Sequence, residues 1–235
     1  MDDPMKQHEI PLTEELGTLE RKTGVEVVRE ALRAAILRGE FGQDGKLILT
    51  SIAAKLGTSV TPVREAIRVL ANEGLVDIDL YKGAKVHTPR REELVEVYSL
   101  RKMLESRAVV EVAVLPDKIR LPTCDKAEKI CQQMAGITDV ATWTALNRDY
   151  HAVLVEPLRG VWPRLCAMIE GLRNISLLPV AAALRKDSKI LQRADQEHLE
   201  LIVSLRERDK KRAANIIGSH LDRTLAVLTG GEYVP

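Results

Sequence analysis

Apolar residues take up a helical period at Val25, continue through Val28, Leu32 and Ile36, and stop at Gly39. A loop with Gly42 and Gly45 separates this run from a short helical segment, SIAAKL, which Thr50 or Ser51 is placed to cap and Gly57 to stop. A four-residue turn, GTSV, leads into TPVREAIRVLANEG, where Pro62 sits early enough in a helix for its missing N–H to cost nothing and Gly74 ends the run. The period then changes. LVDIDLYKGAKVHTP alternates apolar and polar residues around Lys82-Gly83, which predicts a short hairpin. Beyond Pro89 the helical period covers about 91–115, 123–135, 140–155, 161–184, 188–207 and 210–228, with breaks at Pro116, Pro122, Gly136, Pro157–Gly160 and Asp209. Asp139 and Asp187 are the expected N-caps. Residues before 23 hold no sustained period. The chain thus divides into a flexible arm (1–22), a small helical unit with a hairpin (23–88), and an all-helical domain of six or seven helices (91–229): mainly α, in two domains.

Composition narrows the choices. The 235 residues suit two small domains or one large one and are long enough to bury a real core, and only 3% are aromatic, which suits Leu/Ala/Val-packed helices better than a sandwich of strands. The formal net charge is +1, so any nucleic-acid role rests on a local surface. Three cysteines, none in a CxxC pair, give no disulfide framework and fit a reducing compartment. The acidic, polar start MDDPMKQHEI is unlike a signal peptide, and no stretch of 18 uninterrupted apolar residues occurs. A cytoplasmic protein without a membrane partner is expected.

Short helix, tight turn, second helix and hairpin together form a helix-turn-helix with a β-hairpin wing, which presents the second helix's N-terminus to a DNA major groove. Ser59, Thr61 and Arg64 lie at that terminus and Arg68 one turn on. Hydroxyls suit phosphate oxygens, and arginine takes bidentate contacts to guanine. Tyr81, Lys82, Gly83 and Lys85 at the wing are placed for the DNA backbone or minor groove.

TSVTPVREAIRVLANEGLV followed by YKGAKV resembles the winged helix-turn-helix of GntR-family transcriptional regulators, and Thr61-Pro62-Val63-Arg64-Glu65-Ala66 carries the likeness. Where that family usually has arginine before Thr-Pro this chain has Val60, and a second basic position of the family, at the front of the first motif helix, is Thr50. The resemblance therefore implies an altered operator preference that leans on Arg64 and the wing.

In the second domain three histidines fall on apolar faces. Asn147 and His151 are four residues apart on one helical face, His198 is in register with Leu191, Ala194, Ile202 and Leu205, and His220 is in register with Ile217, Thr224 and Leu228. Each taken alone suits a core histidine; three together, with an amide one turn away, also suit a divalent transition-metal site inside a bundle. LRKMLESRAVVEVA, NRDYH, QEHLELIVSLRERD and GSHLDRTL are similar to the successive signatures of the FCD domain of FadR-like GntR regulators. That resemblance implies metal ligands at Asn147, His151, His198 and His220, with zinc or nickel as the ion, and a pocket arginine, Arg101, for a carboxylate effector; the other reading of Arg101 is a surface helix charge paired with Glu105. It also implies a homodimer held by the helical domain, and hence a palindromic double-stranded operator. Glu156 lies five residues from His151, and the expected ligands, three imidazoles and an amide, are all neutral, so they leave the ion's charge uncompensated and favour an anionic effector.

The leading reading is a ligand-responsive DNA-binding regulator, in the sense of a repressor, and not an enzyme. A metallohydrolase is the first alternative, but no H-E-x-x-H or comparable signature is present. A metal-free sensor of acyl-CoA type is the second, and the three histidines argue against it.

Overall fold

A computed structural model describes residues 24–41, 45–186 and 189–231. The arm at 1–22, Gly42 and the Asp187 cap lie outside the described residues.

The N-terminal unit is built on α1 (Gly24–Arg38), β1 (Lys46–Leu47), α2 (Leu49–Lys55), α3 (Val60–Asn72), β2 (Val76–Asp79) and β3 (Gly83–Val86). Val28, Leu32 and Ile36 of α1 meet Ile52 and Ala53 of α2 and Val63, Ala66, Ile67 and Leu70 of α3 in one buried cluster. These are the i, i+3/i+4 positions that set the helical period. Two elements depart from the sequence expectation. The N-cap of α2 is Ile48, with no side-chain cap bond, so neither Thr50 nor Ser51 caps it; both already lie inside the helix. The loop after α1 also yields a strand, β1, which pairs antiparallel with β3 and makes the hairpin a three-stranded sheet in the order β1-β3-β2. Two residues are too short a run to show alternation.

Gly74 closes α3 in a left-handed conformation (φ 77°). Its N–H bonds the Ala71 carbonyl and the next N–H, of Leu75, returns to Leu70, the paired pattern of a Schellman cap. A Cβ here would also stand 3.0 Å from Ile175 of the helical domain, so the glycine sits where the two domains touch.

The helical domain comprises α4 (Arg91–Val114), α5 (Asp117–Met134), α6 (Val140–Val155), a 3-10 turn (Glu156–Leu158), α7 (Pro163–Lys186), α8 (Lys189–Arg206) and α9 (Lys210–Thr229). Its core runs from Val97 and Val112 through Tyr150 and Leu154 to Leu201, Leu205, Ile217 and Leu221. Asp139 and Asp209 cap α6 and α9 by accepting the N–H groups of Thr142 and Arg212. Pro122, expected to break the chain, lies inside α5. Pro122 and Lys118, whose carbonyl its missing N–H would serve, are both exposed, so water can take that carbonyl and the helix continues. Buried Arg120 donates to the carbonyls of Leu205 and Arg206 (2.6 and 2.8 Å), satisfying the end of α8.

Residues Pro163–Leu184 of α7 are long and apolar enough, by length and composition, to cross a membrane. Leu177 and Ala181 instead bury into the N-terminal core and Cys166, Ile169 and Leu184 into the helical core, while Arg173 is buried in an ion pair. This is a core helix that joins the domains.

Candidate metal centre and nucleic-acid interface

At the DNA-facing end, α3 buries Val63, Ala66, Ile67 and Leu70 and leaves Thr61, Arg64 and Arg68 exposed on the opposite face. Ser59 occupies the N-cap position but makes no side-chain cap bond, so its hydroxyl is available beside the open N–H groups of the helix terminus. Arg68 is tied to Glu65 at 2.8 Å, which leaves Arg64 the stronger candidate for a base edge. In the wing, the Asp79 carboxylate accepts the N–H groups of Tyr81 and Lys82 (2.8 and 2.9 Å) and so shapes the turn before Gly83. These two bonds hold the Asp79 carboxyl below its usual pKa. The tip is thrust into solvent: Leu80 and Tyr81 are 94% and 96% exposed. Lys82 is exposed as well, whereas Lys85 stands 3.7 Å from Asp77 and is partly neutralised. His87, which the sequence pattern left without a role, bonds Asp77 (2.8 Å) and Glu93 (3.1 Å), fastening the base of the wing to the first turn of α4.

The three histidines converge from α6, α8 and α9. One ring nitrogen of each lies within 4.8 Å of those of the other two, and all three residues are buried. Ring centroids are 5.2 Å apart for His151–His198 and His198–His220, and 5.6 Å for His151–His220. Burial pushes His151 and His198 well below the ordinary imidazole pKa, with neighbouring Arg173 adding to the effect at His151. Both are neutral, with lone pairs to offer. Both nitrogens of His198, Nδ1 of His151 and Oδ1 of Asn147 are buried without a hydrogen-bond partner. Buried ring nitrogens without partners are costly in a core, and where three histidines converge they suit an ion's ligands. Three imidazoles match a divalent transition metal.

The surroundings orient these rings. Tyr150 donates to the His198 carbonyl (2.9 Å) and lays its ring 4.1 Å from the imidazole. His220 Nδ1 bonds Glu197 at 2.7 Å, which fixes the ring and leaves Nε2 for the cluster. Glu105, from α4, lies 3.9 Å from His151 Nδ1 and is 1% exposed. Burial alone would raise its pKa; Arg173 (2.6 Å) and Arg101 (2.8 Å) overcome that and hold it at about 2. Two carboxylates therefore attend the histidines, where sequence spacing had placed none. Glu105 comes from a different helix, and Glu197 is the immediate neighbour of His198, so a one-turn search misses both.

Both carboxylates are outnumbered by cations, Glu105 by Arg101 and Arg173, and Glu197 by Arg193 and Arg223. Neither carboxylate is left free to act as a general base. Arg101 is not an open arm waiting for an anion: it is buried, bound to Glu105 and, at 3.2 Å, to the Ser176 hydroxyl. Arg173, which sequence reasoning passed over, spans α7, Glu105 and the His151 carbonyl (2.8 Å).

Comparison with known proteins finds matches to both halves of the chain. Residues 24–86 match the family described as "Bacterial regulatory proteins, gntR family", and residues 96–223 match the FCD domain. The chain is 25% identical to the HTH-type transcriptional repressor GlaR of Escherichia coli, covering 81% of this chain and 89% of that protein. It is 27% identical to the HTH-type transcriptional repressor NanR of Klebsiella aerogenes, covering 86% and 84%. The solved structure of E. coli McbR/YncC shares the fold at 19% identity with a TM-score of 0.72, over 90% of this chain and all of that one.

Proposed function

The chain belongs to the gntR family of bacterial regulatory proteins and carries an FCD domain, and from that premise we propose that it is a cytoplasmic, homodimeric repressor whose operator binding is released by a small carboxylate effector at a metal-dependent site. It is a DNA-binding transcriptional regulator. The observation that carries the finer reading is the set of unpartnered buried ring nitrogens on His151 and His198 within a three-histidine cluster.

In this reading Asn147, His151, His198 and His220 hold one zinc or nickel ion. A bound ion supplies a Lewis-acidic anchor for a carboxylate. Tyr150 and Glu197 hold the rings in place. Arg101 and Arg173 outnumber Glu105 beside the histidines and leave a positive surplus that favours an anion over a neutral ligand. Arg101 must exchange part of its bond to Glu105 or Ser176 to touch the effector, so effector binding rearranges the contact between α4 and α7. Because α7 also packs into the N-terminal core, that rearrangement reaches the DNA-binding unit. Dimerisation through the helical domain is supported by apolar side chains left exposed there on neighbouring helices, Met103 on α4 and Val227 on α9. Two recognition helices related by a two-fold axis then read a palindrome.

The test begins with selection of bound fragments from random DNA, which should return an inverted repeat. Dicarboxylates are then titrated onto the complex with and without zinc. Release that needs both metal and carboxylate supports the reading; an operator complex indifferent to both removes the effector part and leaves the regulator.

A further inference from the structure

Outside the histidine cluster, buried guanidinium atoms lack partners in the cleft where the two domains meet. Here α1 packs against α6 and α7 and leaves a cleft of about 300 Å³, at the small end of ligand sites. Arg29 and Arg33 line it from α1, and Arg148, Arg159 and Arg173 from the helical domain, five cations against three lining acids, Glu73, Asp149 and Glu170.

Like charges thus face each other across a domain boundary. Their partners do not fill the cleft: Glu73 takes Arg33, Asp149 takes Arg148 at 3.1 Å, and Glu156 and Glu170 take Arg159. Arg29 Nε and Arg173 Nε are buried with no hydrogen-bond partner. Arg173 is 9% exposed, and its terminal nitrogens are already committed to the His151 carbonyl and Glu105, so its fork is held rigid with Nε left over. Burial, and then repulsion from Arg148 and Arg29, lowers Arg33 below the ordinary guanidinium pKa despite the pull of Glu73. The repulsion is relieved by a negative group between the walls.

The geometry points to an oxyanion site of phosphate type in this cleft, separate from the histidine cluster, that bridges the DNA-binding unit to the helical domain. A planar carboxylate serves one guanidinium fork well. A tetrahedral phosphate offers acceptors toward both walls at once, as these arginines require. The same chemistry is presented by free phosphate and by a small phosphomonoester. Because Arg173 also supports His151 and Glu105, the anion shares one residue with the histidine site, and the two occupancies are coupled in both directions.

Calorimetric titration of the chelator-treated full chain with inorganic phosphate, at constant ionic strength in chloride, tests this. Wild type should bind one phosphate per chain, and Arg29→Gln and Arg148→Gln, one from each wall, should each weaken it at least tenfold. Glycerol 3-phosphate binding more tightly than phosphate would name a phosphomonoester, and the reverse would name the free ion. Hydrogen exchange on wild type alone should show phosphate protecting both 29–37 and 145–152, which keeps the test independent of how the variants fold. No binding, binding unaffected by Arg29→Gln, malonate matching phosphate, or protection of one wall only would each overturn the proposal.

Discussion

At the scale of single residues, the energetics concentrate on Glu105, a fully buried carboxylate between two buried arginines and 3.9 Å from His151. Removing its charge leaves Arg101 and Arg173 uncompensated in the core, so Glu105→Gln should lose about 3–5 kcal/mol in denaturant unfolding, as breaking one side of a buried pair does. Acid titration of the metal-free protein separates two windows. His151 and His198 have folded pKa values well below 6.5, so the unfolded chain takes up protons that the fold refuses. Their contribution is fully present above 6.5 and declines as pH falls from there toward the lowered values. Glu105 is held at about 2 against 4.5, so its contribution is present above 4.5 and declines toward about 2. The melting temperature should therefore fall in both windows, and Glu105→Gln should flatten the lower one. A melting temperature constant from pH 7 to 5 would contradict the buried neutral histidines. The histidines were legible in the sequence because an inward stripe repeats at 3.6 residues. Glu105 and Arg173 were not, because nothing along α4 or α7 reveals which charge on a long helix turns inward to meet another.

At the scale of elements, α3 and the wing present different chemistry to DNA. Arg64 is exposed beside the open helix terminus, while Arg68 is spent on Glu65. Arg64→Ala should weaken operator binding by about 1–3 kcal/mol, and Lys82→Ala at the wing should weaken operator and random DNA alike and reduce the salt slope by about 1. Salt titrations of both variants by fluorescence anisotropy check this; undiminished operator affinity in Arg64→Ala would remove that helix from the groove. The helix-turn-helix was readable because its signals are local: a stop at Gly57, Pro62 early in α3, a Schellman glycine at 74. β1 was not readable, since a two-residue strand exists only by virtue of its partner β3. Nor was the continuity of α5 through Pro122, which depends on that proline facing water.

At the scale of the whole molecule, α7 contributes side chains to both cores, so the helical domain and the DNA-binding unit share a structural member. We expect residues 90–235 to remain dimeric and 1–88 to be monomeric in light scattering; a monomeric helical fragment would move the interface elsewhere. The account rests most heavily on the meeting of α6, α8 and α9 at three histidines, and zinc titration against a competing chromogenic chelator addresses it directly. Wild type should take up one ion per chain, and His198→Ala should weaken it by at least about tenfold, the lower end of what losing even a supporting group costs. Equal zinc affinity in the two proteins would contradict the account and leave His151, His198 and His220 as core side chains.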